Sequence, residues 1–175
     1  MHYMAWEISV FHAVNNWPNS LRPLFLVATV APESIVIGLV AIVVAFFLKM
    51  YKLAWRLAVL TVGGFGVTFI VKHFFGRPRP QEVLTNLHVR ASETGAGFSS
   101  GHAMMITVVA LAILPYLPKK LRWIPLVMVI LTIVSRLYLG VHAPLDVIGG
   151  FAVGLGSVCF LQILPTKFKT LLRLS

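Results

Sequence analysis

WIPLVMVILTIVSRLYLGVHAPLDVIGGFAVGLGSVCFLQIL, residues 123–164, decides the fold. Two apolar stretches flank a short polar junction. The first runs from about Trp123 to Gly140 and the second from about Pro144 to Leu164. A bilayer core of roughly 30 Å needs about 20 helical residues, so each stretch is long enough to cross it. Arg136, His142 and Asp146 lie at and on either side of the junction, residues that lipid does not tolerate without a purpose. Gly150 and Gly154 stand four apart, a small-residue face suited to close helix packing.

Working outward, the same reading yields three more spans: Pro32 to Tyr51, Leu53 to Lys72 and Gly101 to Leu117. Pro32 suits a first helical turn. Gly63, Gly64 and Gly66 give the second of these spans a face for close approach. Residues 3–16 have an amphipathic pattern suited to the membrane interface, and 17–20 form a turn. Leu21–Ala31 is apolar but, at about 1.5 Å per residue, too short to cross. It either half-inserts or joins the residues before the turn as a sixth span. The expected fold is an all-α, polytopic membrane bundle of five to six helices. It forms one domain over residues 1–175, with an N-terminal helix at the interface.

Composition agrees. Of 175 residues, 58% are hydrophobic and 11% charged, and mean hydropathy is +0.89. This excludes a disordered chain and an ordinary soluble enzyme. The 15 Lys and Arg against 5 Asp and Glu suit anionic ligands. No polar domain is present to read nucleic acid. One cysteine, Cys159, excludes an internal disulfide and a cysteine zinc site, and its apolar surroundings read as packing. The acids are Glu7, Glu33, Glu82, Glu93 and Asp146, too dispersed for a carboxylate metal site. The sequence offers no cleavable signal peptide and no internal repeat.

Alternating spans sort the cations into two sets. One holds Lys49, Lys52, Arg56, Lys119, Lys120, Arg122, Lys167, Lys169 and Arg173. The other holds Arg22, Lys72, Arg77, Arg79, Arg90 and Arg136. The larger set, which includes the C-terminus, is expected to face the cytoplasm, and the second set the outside.

Three segments fall on the outward side: 72–80, 98–102 and 135–146. Lys72, Arg79 and Arg136 can converge on a polyanion, with arginine supplying a planar fork of donors. Ser99 and Ser100 precede a helix start, where free N–H groups favour phosphate, and His102 lies in its first turn. His142 and Asp146 are four apart, so the carboxylate can fix the imidazole tautomer. Taken singly, a basic residue at a membrane-helix end is usually an interfacial anchor, and a lone histidine there is usually solvated. Arg77 reads equally as a phosphate contact or a loop-surface charge, and Arg90 and Glu93 read as loop solvation. His2, His12, His73 and His88 have no partners in sequence and receive no role.

The order Lys-x6-Arg-Pro, Ser-Gly-His and Ser-Arg-x5-His-x3-Asp resembles the type 2 phosphatidic acid phosphatase superfamily over about residues 53–160. Lys72, Arg79 and Pro80 match its first motif. Ser135, Arg136, His142 and Asp146 match its third. The second usually reads Pro-Ser-Gly-His, and Ser99 stands here in place of the proline, which should loosen the turn. The resemblance implies a six-helix, metal-independent lipid phosphatase without a cofactor. In it His142 is the nucleophile, Asp146 orients it and His102 protonates the leaving oxygen. Lys72, Arg79, Arg136, Ser100 and the Gly101 N–H hold the phosphoryl group. The implied substrate is a lipid phosphate or diphosphate at the outer face of the cytoplasmic membrane, undecaprenyl diphosphate first. Phosphatidylglycerol phosphate, phosphatidic acid and lipid A 1-phosphate follow. A lipid phosphotransferase is the second reading, and a non-catalytic protein that binds anionic lipid is the third.

Overall fold

The computed structural model describes residues 3–29 and 34–165. His2, Pro32, Glu33, Lys167, Lys169, Arg173 and the C-terminus lie outside the described residues. The described chain is helical: α1 (Ala5–Asn15), α2 (Arg22–Ala28), α3 (Ser34–Phe47), α4 (Tyr51–Phe75), α5 (Pro80–Val83), α6 (Gly101–Ile113), α7 (Trp123–Tyr138) and α8 (Pro144–Ile163). No strand occurs among these residues. The protein is an all-helical membrane bundle. α4, α7 and α8 belong to helical runs long and apolar enough to cross a bilayer, while α3 and α6 are shorter apolar helices. α6 extends into a single 3-10 turn, Leu114–Tyr116.

α6 lies at the centre and packs against α3, α4, α7 and α8. Met104, Met105 and Val108 are fully buried there, with Leu57 of α4. The outward flanks show the reverse pattern. Val62, Phe69 and Phe74 of α4 are exposed by 73%, 71% and 85%, an apolar coat suited to lipid. Cys159 belongs to this exposed flank and is not a core residue.

The small-residue face of α8 is used as expected. A Cβ on Gly150 would stand 2.2 Å from the Ser100 carbonyl oxygen, and one on Gly154 2.6 Å from that of Met104. The backbones of α6 and α8 are therefore in near contact. The α4 glycines divide. Gly64 abuts Met104, whereas Gly63 and Gly66 have open space and bring no helix close.

The N-terminal segment departs most from expectation. α1 and α2 are separate helices joined through a 3-10 turn, Asn19–Leu21. They do not form a continuous sixth span. α1 packs on α7 and α8 and buries Glu7, Phe11 and Asn15 completely. Its buried face is thus partly polar, which an amphipathicity argument misses. Asn15 Nδ2 donates to the carbonyls of His88 and Tyr138 at 3.0 and 3.1 Å.

Arg90 is likewise structural. Its guanidinium donates to the carbonyls of Asn15, Tyr138 and Trp17 at 2.7–2.9 Å and stacks on the Tyr138 ring. It is not loop solvation as the sequence suggests, because these acceptors come from distant parts of the chain.

Candidate active site

Three helix ends build the site. α4 closes on Gly76, whose left-handed backbone (φ 48°) lets its N–H donate to the Lys72 carbonyl at 3.0 Å. The chain then extends through Pro78 to Arg79, the N-cap of α5. α6 starts at Ser100, whose hydroxyl accepts from the Ala103 N–H at 3.4 Å. α8 starts with Pro144 in its first turn, and Asp146 Oδ2 accepts the Ala143 N–H at 2.8 Å.

Hydrogen bonds tie the three segments together. The Ser100 N–H donates to the Asp146 carbonyl at 2.8 Å. The Gly97 N–H donates to the Arg77 carbonyl at 2.7 Å. Arg79 Nη1 donates to the Val141 carbonyl at 3.0 Å. The segments expected to meet do meet, at one end of the bundle. The α3–α4 and α6–α7 junctions, with Lys49, Lys52, Lys119 and Lys120, lie at the other ends of those helices.

A cavity of about 430 Å³ opens here, with Lys72, Arg79, Gly101, His102 and His142 in its wall beside Ser34, Phe65, Phe69 and Glu93. His142 is 1% exposed. Its Nε2 stands 3.3 Å from Arg79 Nη1, which donates to it, so the ring proton is assigned to Nδ1. Nδ1 faces Asp146 Oδ2 at 3.7 Å, near contact but too long for a formed hydrogen bond. Burial pushes the imidazole down to about 3, against the pull of Asp146 and aided by Arg136 and Arg79. His142 is therefore neutral at physiological pH, with its Nε2 lone pair on the side of the arginines.

Arg79 and Arg136 are 3% and 2% exposed. Arg79 is anchored by the carbonyls of Gly95 and Thr94 as well as Val141. Lys72 Nζ donates to the Ala96 carbonyl at 2.8 Å. Ser99 and Ser100 are both fully buried at the α6 start.

Two acids and one arginine depart from the sequence reading. Glu93 is not loop solvation. Its carboxylate pairs with Arg79 at 2.8 Å and with Arg136, and lies 3.5 Å from His142 Nε2 and 3.8 Å from His102 Nδ1. It is the anion that the cationic site holds. Arg77 neither lines the cavity nor reaches the surface. It is fully buried and bridges Asp146 Oδ1 at 2.9 Å and Glu7 Oε2 at 2.7 Å. One signal for all three was present in the sequence. With 15 basic residues and 5 acids, an acid inside an apolar helix or beside a glycine-rich loop has cations to meet. Among the described residues, no group of three His, Cys, Asp or Glu side chains is arranged to hold a metal ion.

The profile of the PAP2 superfamily matches residues 52–169, which carry all three segments. The chain belongs to the PAP2 superfamily. It is 28% identical over 167 residues to the putative undecaprenyl-diphosphatase YbjG of Escherichia coli, covering 90% of this chain and 82% of that protein. It is also 28% identical over 116 residues to an undecaprenyl-diphosphatase of Sulfolobus acidocaldarius. That match covers 63% of this chain and spans 56%, just over half, of the Sulfolobus protein. Among solved structures, Aquifex aeolicus LpxE superposes with a TM-score of 0.81 over 91% of this chain and 96% of its own, at 22% identity. This superposition covers more of the chain than the profile matches, so the fold extends N-terminally beyond residue 52.

Proposed function

We propose that the protein hydrolyses a lipid phosphate or diphosphate, without a metal ion, through a phosphohistidine on His142. One observation carries the reading. A neutral, buried imidazole lies with one nitrogen near a carboxylate and the other against an arginine, in a cavity whose wall carries Lys72, Arg79 and the Glu93 that Arg136 pairs with.

The chemistry follows from that placement. The phosphoryl group takes the place of the Glu93 carboxylate on Arg79 and Arg136. Lys72 and the N-terminal N–H groups of α6, with Ser100 and Gly101, hold its remaining oxygens. His142 Nε2 attacks phosphorus in line, a P–N bond forms and the bond to the leaving oxygen breaks. Asp146 balances the charge that develops on the imidazole ring. His102 gives a proton to the leaving oxygen, then takes one from the water that cleaves the P–N bond. The three cations neutralise charge on the transferring group, a task other phosphatases give to magnesium. They also repel a divalent metal from the same place.

An amphiphilic substrate fits the cavity. Phe65 and Phe69 of α4 are in its wall, and Phe69 is 71% exposed on the apolar flank. A phosphate can therefore reach the cations while its lipid tail stays in the bilayer. Undecaprenyl diphosphate is the first choice, as the names of two relatives support. The test is phosphate release in detergent from undecaprenyl diphosphate, phosphatidylglycerol phosphate, phosphatidic acid and lipid A. Turnover should be highest on undecaprenyl diphosphate, survive EDTA and be inhibited by vanadate. Turnover that EDTA abolishes and magnesium restores would refute the metal-free mechanism.

The site faces outward in this proposal, supported by the excess of basic residues at the opposite helix ends. Cysteines placed singly at Thr85 and Lys120, both exposed, report the sidedness in a Cys159→Ala background. On intact spheroplasts an impermeant maleimide should label position 85 and spare 120. The opposite labelling places the site in the cytoplasm.

A further inference from the structure

The residue expected to orient His142 is itself held from the far side. Asp146 is completely buried and has two oxygens to satisfy. Oδ2 takes the Ala143 N–H and faces His142, while Oδ1 takes Arg77 Nη1 at 2.9 Å. The other Arg77 nitrogen, Nη2, donates to Glu7 Oε2 at 2.7 Å. Glu7 Oε1 accepts the N–H of Leu145, one residue before Asp146, at 3.2 Å. The ring of Tyr3 covers the guanidinium at 4.1 Å. Arg77 is thus fixed between two carboxylates, and α1 grips both the arginine and the helix turn that carries Asp146.

We infer that Glu7 and Arg77 are positioning residues, which set the orientation and charge of Asp146 and through it the nucleophilicity of His142. The inference rests on the functional reading above. A carboxylate in so dry a place stays ionised only beside a cation. Arg77 supplies that cation. Glu7 keeps it from neutralising Asp146 fully, since one guanidinium faces two carboxylates. Two hydrogen bonds on separate nitrogens also fix the plane of the guanidinium, which a lysine cannot reproduce. Glu7 lies outside residues 52–169, so the N-terminal segment completes a site whose motifs all lie elsewhere.

Other charges around Asp146 are consistent with this division. From the α4 end, Lys72 and Arg79 also act on it through space. α7 contributes Arg136 and α6 contributes His102, and both of these face Glu93. Arg77 forms an ion pair with Asp146 through a direct hydrogen bond.

The test compares Arg77→Met, Arg77→Lys, Glu7→Gln and Asp146→Asn, each as the full chain in detergent, with p-nitrophenyl phosphate and undecaprenyl diphosphate. Arg77→Met should lower kcat about 10²-fold, and Glu7→Gln about 10-fold, with KM little changed, by the scale of other oriented histidines. Without its cation Asp146 binds a proton more readily, so the acid limb of kcat should move to higher pH in Arg77→Met. Arg77→Lys should restore only part of the loss. In the Asp146→Asn background, Arg77→Met should cost little more, because both act through one group. Wild-type kcat and an unmoved acid limb in Arg77→Met overturn the inference, as does a loss fully additive with Asp146→Asn. Where Arg77→Met does not fold, Glu7→Gln and Arg77→Lys decide, and unchanged kcat in both overturns it. A wild-type protein that neither releases phosphate nor takes up label overturns the functional reading itself, an outcome separate from an active wild type with indifferent variants.

Discussion

His142→Ala should abolish both turnover and acid-labile phosphate labelling, a loss on the order of 10⁴-fold or more as for other nucleophile deletions. The proposed mechanism gives this histidine, and not His102, the attacking role. Its Nε2 lies 3.3 Å from Arg79, a cation expected to hold the phosphoryl oxygens, and its Nδ1 faces Asp146. His102 has its Nδ1 3.8 Å from Glu93 and sits in the first turn of α6. His102→Ala should therefore retain labelling by an activated substrate. It should slow a lipid substrate by about 10²–10⁴-fold, the range for a general acid. The penalty should shrink with p-nitrophenyl phosphate, whose leaving group hardly needs a proton. Rapid-quench labelling with each variant separates the roles. A labelled His142→Ala protein beside an unlabelled His102→Ala protein would reverse them.

Arg79→Ala should be the most damaging cation replacement, because this side chain has two tasks. It faces the proposed phosphoryl position, now held by Glu93 at 2.8 Å, and it bonds carbonyls of Thr94, Gly95 and Val141. Losing a preorganised donor to a transferring group costs about 10²–10³-fold. The buried Val141 carbonyl left without a partner costs a further 1–3 kcal/mol or so of stability. We expect kcat/KM to fall by about 10³-fold or more and thermal stability to fall with it. Arg79→Lys should recover little, since an ammonium cannot span acceptors on both sides of a guanidinium plane. Lys72→Ala, with one carbonyl partner, should lose activity with little change in melting temperature. Equal stability losses in the two variants would refute the double role.

The parts legible in the sequence were those written locally. Apolar runs place α4, α7 and α8 within a few residues, and the motif residues mark the helix ends that meet. Spacing alone put Asp146 beside His142, because a carboxylate in the first turn of α8 reaches back past the N-cap to the residues just before the helix. What sequence could not give were partners set by the fold. Arg77 and Glu7 are 70 positions apart, and Arg136 and Glu93 are 43 apart. Neither pairing leaves a periodic trace. α1 misled for a related reason. Its buried face contains Glu7 and Asn15, which a hydrophobic pattern counts as solvent-facing. The 84–98 loop has no regular helix, and its path is fixed by bonds such as the Arg90 N–H to the Leu139 carbonyl at 3.0 Å.

The near contact at Gly150 has a consequence for how such a protein can diversify. Ser100 and Asp146, at the starts of α6 and α8, share a backbone hydrogen bond, and a Cβ on Gly150 would collide with the Ser100 carbonyl. Any side chain there moves main chain, and with it the spacing of nucleophile and cradle. That half of the site is closed to gradual remodelling. Mutations that adapt the protein to a new headgroup have room only on the opposite side, among Phe65, Phe69 and the loop that carries Glu93. Lineages of this architecture should accumulate their differences there, while the seam between α6 and α8 is passed on unchanged.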